Sequence, residues 1–216
     1  QVAETYTDWD IAGEIPSLLE VITEARPTVL LGLTGVGGLF TEPMIRHMAE
    51  NTTRPIIFPL SNPTANCEAI PEDIVRWTDG RAIIATGSPF DDVIYDGKRH
   101  VVGQGNNAFV FPGIGFASIL GRCAHVSDAM IIESAFALAD YTDENYHDQG
   151  LIFPPIAELR DVSAHVAAKV LQVALHNGES RRVDLAELDT DALAAYIRSR
   201  MWKPEYLPYA LAEDAL

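Results

Sequence analysis

Long hydrophobic runs are missing from this sequence. The longest apolar stretch, residues 108–123, is interrupted by one proline and three glycines. A membrane-spanning helix needs about 20 predominantly apolar residues in succession. No positively charged leader with an apolar centre opens the chain. We therefore expect that the protein does not associate with a membrane. We expect it to be cytoplasmic, in the bacterial cytosol or alternatively in the mitochondrial matrix.

Basic residues are also scarce. The sequence has 15 lysines and arginines against 31 aspartates and glutamates, so its formal net charge at pH 7 is −16. A surface of this charge repels the phosphates of nucleic acids, which excludes them as partners. A small anionic substrate is still compatible with it, because the local field of a pocket can oppose the net charge of the protein.

Residues that bind metals are few and scattered. The two cysteines, Cys67 and Cys123, show no metal-binding spacing, and the six histidines show none among themselves. We predict that both cysteines are free buried thiols, which is typical of a protein from a reducing compartment. The sequence therefore predicts no metal site of its own.

The first half of the chain alternates between predicted helices and strands. Strands are predicted at 28–33, 55–60 and 82–86, with helices at 14–25, 41–50 and 71–77. The first strand is a continuous apolar run, which is typical of a strand buried on both faces. Such alternation indicates βαβ units. We therefore predict the α/β class, with a doubly wound, Rossmann-like parallel sheet.

The pattern changes after the third strand. Asp96-Gly97 lies between two short β-prone runs, Val93–Tyr95 and Arg99–Val102, and predicts a hairpin. Beyond Asn107 the pattern is helical, with helices predicted at 127–141, 161–177 and 189–201. We interpret 1–216 as part of one dinucleotide-binding domain, with βα units and the hairpin in 1–110 and a helical extension in 111–216.

Small polar residues follow each predicted strand. These segments are 34–38, 61–64 and 87–89, and residues 103–107 follow the hairpin with further amides. In an open parallel sheet, ligands bind beyond the carboxyl ends of the strands. An asparagine amide donates and accepts hydrogen bonds without adding charge, which suits a carboxamide, a carboxylate or a ribose. Any one of these turns also has a purely structural explanation, because turns favour such residues.

Familiar catalytic motifs are absent from the sequence. Counted from Gly35, the third glycine of a dinucleotide fingerprint falls on Phe40, so the segment 34–38 is not that motif. No flanking motif suggests a Ser/His/Asp arrangement, and the Asp91-Asp92 pair is typical of a solvated turn. The residues alone therefore predict only part of a doubly wound domain that binds a nucleotide or an acid.

Four segments resemble the large-type malic enzymes in amino-acid sequence, order and spacing. They are Gly35–Thr41 (GVGGLFT), Pro59–Thr64 (PLSNPT), Ala85–Phe90 (ATGSPF) and Gly103–Gly113 (GQGNNAFVFPG). The resemblance covers essentially the whole chain and implies the C-terminal, NAD-binding region of such an enzyme.

The resemblance implies roles for several residues. Asn62 would lie between nicotinamide and malate, and Asn106 and Asn107 would hold the carboxylate and hydroxyl region of malate. The cofactor-binding residues would be Thr34, Gly35, Gly37, Gly38, Asn62 and Asn107. The family's catalytic tyrosine, lysine and arginine, its three acidic metal ligands and its glycine fingerprint precede this region, and their motifs are not found here. We therefore expect no catalytic residue and no metal ligand in this chain, and a truncated chain that is inactive alone.

The implied activity is oxidative decarboxylation of (S)-malate to pyruvate and CO₂, with reduction of NAD or alternatively NADP. The sequence has no cluster of basic residues suited to binding the 2′-phosphate of NADP, which favours NAD. The resemblance also implies Mg²⁺ or Mn²⁺ bound upstream and a homo-oligomer, dimer or tetramer. Two alternatives stay open: a malolactic enzyme, which converts malate to lactate, and a non-catalytic nucleotide-binding module.

Overall fold

The computed structural model describes residues 9–206, apart from the side chain of His147. The ends of the predicted domain, 1–8 and 207–216, lie outside the described residues. The strands are β1 (Val29–Gly32), β2 (Ile56–Pro59), β3 (Ile83–Thr86), β4 (Val93–Tyr95), β5 (Lys98–His100) and β6 (Gly103–Gln104). The helices are α1 (Leu18–Ala25), α2 (Glu42–Asn51), α3 (Pro71–Trp77), α4 (Phe111–Leu120), α5 (Asp128–Tyr146), α6 (Leu159–His176) and α7 (Thr190–Arg200).

Four strands form a parallel sheet in the order β1, β2, β3, β6. Val29 lies opposite Ile56, and Ile56 lies opposite Ile83, so the strands run in register across the sheet. Helices α1, α2 and α3 connect or precede the strands, as βαβ units require. The α/β class and the three predicted strands are confirmed.

The fourth strand, β6, is missing from the predicted elements. Gly103 and Gln104 pair in parallel with Ala85 and Thr86 of β3. A two-residue strand made of a glycine and an amide carries no apolar pattern, so the sequence gives no signal for it. Because β6 is parallel to β3, residues 105–107 lie at the edge of the sheet where β1, β2 and β3 also end.

The hairpin is confirmed but does not join this sheet. Strands β4 and β5 pair antiparallel with each other as a separate two-stranded sheet. Asp96 and Gly97 at the turn both have positive φ, 49° and 71°. Such a pair matches the twist of the two strands, which explains the Asp-Gly sequence.

Helix α1 begins four residues later than its apolar spacing predicts. Ser17 Oγ accepts a hydrogen bond from the Glu20 N–H, and the Glu20 carboxylate accepts one from the Ser17 N–H. This capping box fixes the first turn at Leu18. Pro16 also disfavours the helical conformation of Ile15, which is exposed.

The second half of the described chain is helical, as predicted, and contains one helix more than predicted. Helix α4 includes Pro112 in its first turn, where no backbone hydrogen bond is needed, and Gly113 at its contact with α6. A Cβ on Gly113 would lie 2.6 Å from Val166 Cγ1, so the glycine permits close approach of the two helices. No helix among the described residues is long and apolar enough to cross a membrane.

Two buried clusters support these two halves. One joins β1, β2 and β3 to α1, α2 and α3 through residues such as Ile22, Ile57 and Ile74. The other joins α4 to α7 around the central helix α6 and includes Phe109 and Leu171. On the second face of the sheet, Phe153 packs edge-on against Phe58 with ring centroids 6.1 Å apart.

Strand β1 differs from its predicted environment. Val29 is 43% exposed and Leu31 is 52% exposed, whereas Leu30 is buried against the helices. The prediction that this strand is buried on both faces is therefore wrong for the described residues, because β1 is an edge strand and only one of its faces is covered. Both cysteines are free, as predicted, but only Cys67 is buried and Cys123 is half-buried.

Candidate functional site

The carboxyl ends of β1, β2, β3 and β6 lie along one edge of the parallel sheet, which we call the strand-end edge. The segments that follow these strands are 33–38, 60–64, 87–89 and 105–107. Hydrogen bonds join the segments after β1, β2 and β3 to one another, and Gln104 of β6 bonds the segment after β3, so the strand-end edge is one continuous structure. Because parallel strands place their ligand sites at such an edge, it is the candidate site.

The segment after β1 is a tight glycine turn. Gly35 and Gly38 both have φ of +72°, a conformation that side chains rarely adopt, and nothing lies within 4 Å of the position a Cβ would take on either. The N–H groups of Gly35, Val36 and Gly38 bond inside the protein, to Ser61 Oγ, Thr34 Oγ1 and the Cys67 carbonyl. Since these donors are used, the turn offers open space beside Gly35 and Gly38 rather than a cradle for a phosphate.

A buried carboxylate joins the segments after β1 and β2. Glu68 is completely buried and accepts hydrogen bonds from the N–H and the hydroxyl of Thr34, both at 2.9 Å. It also accepts from Ser61, at 2.5 Å from Oγ and 3.3 Å from the N–H. The hydroxyl of Ser61 in turn accepts from the Gly35 N–H at 2.9 Å. Glu68 therefore fixes the glycine turn against the segment that carries Asn62.

The protonation state of Glu68 follows from these contacts. Burial by itself raises the pKa of the Glu68 carboxyl, because a charge is disfavoured away from water. The hydrogen bonds from Ser61 and Thr34 outweigh burial, and the pKa of Glu68 lies below its ordinary value. The carboxyl is therefore ionised at neutral pH and acts as an acceptor.

Two glycines make this close approach possible. A Cβ on Gly32, the last residue of β1, would lie 2.5 Å from Glu68 Cδ. A Cβ on Gly37 would lie 2.3 Å from the Ala65 carbonyl oxygen. Any larger residue at either position would push the segments after β1 and β2 apart.

Asn62 follows β2, and its side chain is held by a neighbour. The hydroxyl of Ser88, which follows β3, donates to Asn62 Oδ1 at 2.6 Å. Because Oδ1 is occupied, the exposed amide presents Nδ2 as its donor. Gly87 allows this arrangement, since a Cβ there would lie 2.1 Å from the Leu60 carbonyl oxygen and 3.0 Å from Asn62 Nδ2.

The carboxyl ends of β3 and β6 are also joined. Gln104 Nε2 donates to the Gly87 carbonyl at 3.2 Å, and the Gly105 N–H donates to the Thr86 carbonyl at 2.9 Å. The two amides that follow differ in their use. Asn106 Oδ1 accepts from the Ala108 N–H at 2.9 Å and caps the 3₁₀ turn 107–109, whereas Asn107 is exposed.

A family model described as the malic enzyme, NAD binding domain, matches residues 1–175. The chain belongs to the malic enzyme family. It is 44% identical over 209 residues to the NAD-dependent malic enzyme of Acinetobacter baylyi, which covers 97% of this chain and 36% of that enzyme. It is 42% identical, with the same coverage, to the NAD-dependent malic enzyme of Aliivibrio fischeri.

Solved malic enzymes share the fold. The structure of the Entamoeba histolytica malic enzyme matches 86% of this chain and 34% of its own with a TM-score of 0.66 at 24% identity, which supports the fold alone. The malic enzyme of Pyrococcus horikoshii matches 83% of this chain and 36% of its own with a TM-score of 0.61 at 26% identity. The chain thus spans about a third of the length of the malic enzymes it matches.

The structure brings the predicted site residues to one edge. The cofactor-binding residues predicted in the glycine turn and Asn62 are linked through Ser61 and Glu68, and Asn106 and Asn107 follow β6 at the same edge. Their roles in a malic enzyme stay predictions. Sequence reasoning missed Glu68 and Ser88. The signal for Glu68 is weak, because a glutamate in a connecting loop gives no indication that it is buried.

Metal-binding side chains and a separate cavity are two further features that bear on a candidate site. Among the described residues, no three histidine, cysteine, aspartate or glutamate side chains come together to hold a metal ion. A cavity of about 470 Å³ lies at the opposite edge of the sheet, where Arg54, Arg81 and His100 line it beside the first residues of β3. None of the predicted site residues lines that cavity.

Proposed function

We propose that this chain contributes the nicotinamide and substrate side of the active site in an enzyme that oxidatively decarboxylates (S)-malate to pyruvate and CO₂ with NAD. One observation carries the proposal: the amide of Asn62, oriented by Ser88, lies beside the turn that leaves open space at Gly35 and Gly38 on the strand-end edge. Relatives at 44% and 42% identity are named NAD-dependent malic enzymes, which supports NAD as the cofactor.

The residues of the edge fit the nicotinamide half of the cofactor. Open space above Gly35 and Gly38 leaves room for a ring or ribose to approach the backbone. The free donor of Asn62 suits the carboxamide or a substrate oxygen. Bound NAD would supply the hydride acceptor for oxidation of the malate hydroxyl. The amides of Asn62 and Asn107 would hold the cofactor and malate without adding a charge at the surface of the edge.

Each amide has a separate proposed role. Asn62 would donate through Nδ2 between the nicotinamide and malate, and Asn107 would hold the carboxylate and hydroxyl region of malate. Asn106 would fix the turn that carries Asn107, because its side chain caps residues 107–109. Together they would orient the substrate for hydride transfer, which is a contribution of proximity. Thr34, Gly35, Gly37 and Gly38 would line the cofactor cleft.

The proton-transfer groups and the divalent metal, Mg²⁺ or Mn²⁺, are proposed to come from residues outside this chain, as the resemblance to the malic enzymes implies. Two buried clusters support a division near residue 110 into a βα part and a helical part.

We further propose a cytoplasmic homo-oligomer, a dimer or a tetramer. Sedimentation of the full-length enzyme tests this point, and a monomer at micromolar concentration would contradict it.

The activity is tested on the enzyme in its full-length form. It is incubated with malate and Mn²⁺, with NAD in one series and NADP in another, while cofactor absorbance and the three-carbon product are followed together. Reduced NAD formed in step with pyruvate supports the proposal. Conversion of malate to lactate without net cofactor reduction would make it a malolactic enzyme. No loss of malate with either cofactor would reject the catalytic proposal in favour of a non-catalytic binding module.

A further inference from the structure

Glu68 is a buried charge whose presence packing alone does not explain. Its side chain is completely buried, and no ion pair with a described residue compensates its charge. Burying a carboxylate without a counter-charge is costly unless hydrogen bonds satisfy it. An apolar side chain of similar size would fill the same volume without this cost. The role of the carboxylate therefore lies in the groups that its oxygens hold.

What the oxygens hold is the geometry of two segments. Glu68 Oε1 accepts three hydrogen bonds, from the Thr34 N–H, the Thr34 hydroxyl and the Ser61 hydroxyl, and Oε2 accepts a fourth from the Ser61 N–H. All four donors belong to residues that immediately precede Gly35 or Asn62. Hydrogen bonds to an ionised acceptor are roughly twice as strong as neutral ones.

Ser61 extends this control to the glycine turn. Its hydroxyl donates its proton to Glu68, so the oxygen lone pairs are free to accept from the Gly35 N–H at 2.9 Å. The carboxylate therefore sets the direction of these two hydrogen bonds: the Gly35 N–H donates to Ser61 Oγ, and the Ser61 hydroxyl donates to Glu68. A side chain at 68 that donated toward Ser61 would oppose this direction.

We infer that Glu68 is a positioning residue that sets the affinity for NAD by locking the glycine turn to the Asn62 segment. This inference rests on the proposed function, because it takes the strand-end edge as the nicotinamide site. Glu68 is completely buried, so it would act on the cofactor only through the residues that it holds. Its effect reaches the cofactor through the Gly35 peptide on one side and through Asn62 on the other.

Two substitutions perturb the same carboxylate in different ways. Glu68→Gln keeps the shape but removes the charge, and its Nε2 faces either Ser61 or Thr34 donors, so at least one hydrogen bond is lost. Gly32→Ala keeps the glutamate at position 68. The new Cβ would lie 2.5 Å from Glu68 Cδ and would force the carboxylate to move. Gly32 has no positive φ, so alanine is compatible with its backbone.

Thr78→Val is the matched control. Thr78 is also completely buried, and its hydroxyl donates to the Ile74 carbonyl at 2.7 Å and accepts from the Ala82 N–H at 3.3 Å. It precedes β3 at the opposite edge of the sheet. Its loss therefore removes buried hydrogen bonds without disturbing the strand-end edge.

The experiment measures the Kd for NAD by calorimetric titration of the full-length enzyme, alongside thermal unfolding and steady-state kinetics. We expect Glu68→Gln and Gly32→Ala each to raise the Kd and the KM for NAD about tenfold, with kcat at saturating NAD changed less than about threefold. Thr78→Val lowers Tm and leaves the Kd unchanged. A purely structural role would reduce the active fraction and hence kcat, without moving the Kd.

The double variant Gly32→Ala/Glu68→Gln supplies a further check. Because both changes act through one carboxylate, its Kd should lie within about twofold of that of Glu68→Gln rather than near a hundredfold increase. Folded single variants that bind NAD like the wild type, or a fully additive double variant, overturn the positioning role while the proposed function stands. If Glu68→Gln does not fold, Gly32→Ala is compared directly with Thr78→Val and decides. A wild-type enzyme that does not bind NAD overturns both.

Discussion

Ser88 fixes the orientation of Asn62: its hydroxyl donates a hydrogen bond of 2.6 Å to Oδ1, although the two residues follow different strands. The contact decides which end of the amide is available at the strand-end edge. With Oδ1 occupied, Nδ2 is the donor left for a ligand. A residue that sequence reasoning assigned no role thus controls the chemistry of one that it predicted.

Ser88→Ala should therefore weaken the use of both NAD and malate. Loss of one neutral hydrogen bond is worth about 1 kcal/mol, so we expect kcat/KM to fall about fivefold. Asn62→Ala should cost more, and the double variant should be no worse than Asn62→Ala alone. Steady-state kinetics with each substrate varied in turn measures this. Ser134→Ala, which removes a buried hydroxyl from α5, is the control and should leave kcat/KM unchanged.

An Asn62→Ala enzyme with wild-type kinetics would remove the strand-end edge from the active site. Additive effects of Ser88→Ala and Asn62→Ala would show instead that Ser88 acts independently of the amide.

The two adjacent asparagines should separate stability from catalysis. Asn106 caps the turn 107–109 through its side chain, so Asn106→Ala should lower the free energy of unfolding by about 1 kcal/mol. Asn107 is exposed, so Asn107→Ala should leave stability unchanged and should raise the KM for malate or lower kcat. Denaturant unfolding and malate kinetics on both variants measure the two effects. Unchanged kinetics for Asn107→Ala would exclude Asn107 from the substrate site.

Acid should destabilise the fold through Glu68. Burial alone raises the pKa of Glu68, but hydrogen bonds from Ser61 and Thr34 outweigh it and hold the pKa below 4.5 in the folded protein. A group with a lower folded pKa contributes stability that is fully present above its unfolded pKa and is lost as the pH falls through the folded pKa. The unfolding free energies of the wild type and Glu68→Gln should therefore differ at neutral pH and converge below pH 4.5. A difference that persists or grows in acid would contradict this assignment.

Two glycines in α4 should respond oppositely to alanine. A Cβ on Gly113 would lie 2.6 Å from Val166 Cγ1 and 3.2 Å from the Ala167 nitrogen, so Gly113→Ala should destabilise the fold by about 1–3 kcal/mol through overpacking. Nothing lies within 4 Å of a Cβ on Gly115, so Gly115→Ala should stabilise α4 by about 0.5–1 kcal/mol. Chemical denaturation of both variants measures this. Equal effects would mean that α4 does not pack closely on α6.

Much of the fold could be predicted because its elements carry strong local signals. The apolar runs of β1, β2 and β3 and the Asp-Gly turn of the hairpin are such signals. Helix α3 even has the predicted bounds, since Pro71 marks its start. Strand β6 could not be predicted, because its two residues have no pattern and depend on pairing with Ala85 and Thr86.

The candidate site was predicted where it rests on residues at strand ends. The position of Asn62 and of the glycine turn follows from the rule that parallel strands end at one edge. Glu68 and Ser88 were missed because their importance arises from contacts between segments that are distant in sequence. Glu68 bonds Thr34 across 34 residues, and Ser88 bonds Asn62 across 26. No local pattern reports such pairings.

The most direct test of the central claim is a crystal structure of the full-length enzyme with NAD bound. We predict that the nicotinamide lies at the strand-end edge, over the turn containing Gly35 and within hydrogen-bond distance of Asn62 Nδ2, with Ser88 still bonded to Oδ1. Nicotinamide bound away from Asn62, for example in the arginine-lined cavity beside the amino end of β3, would contradict it.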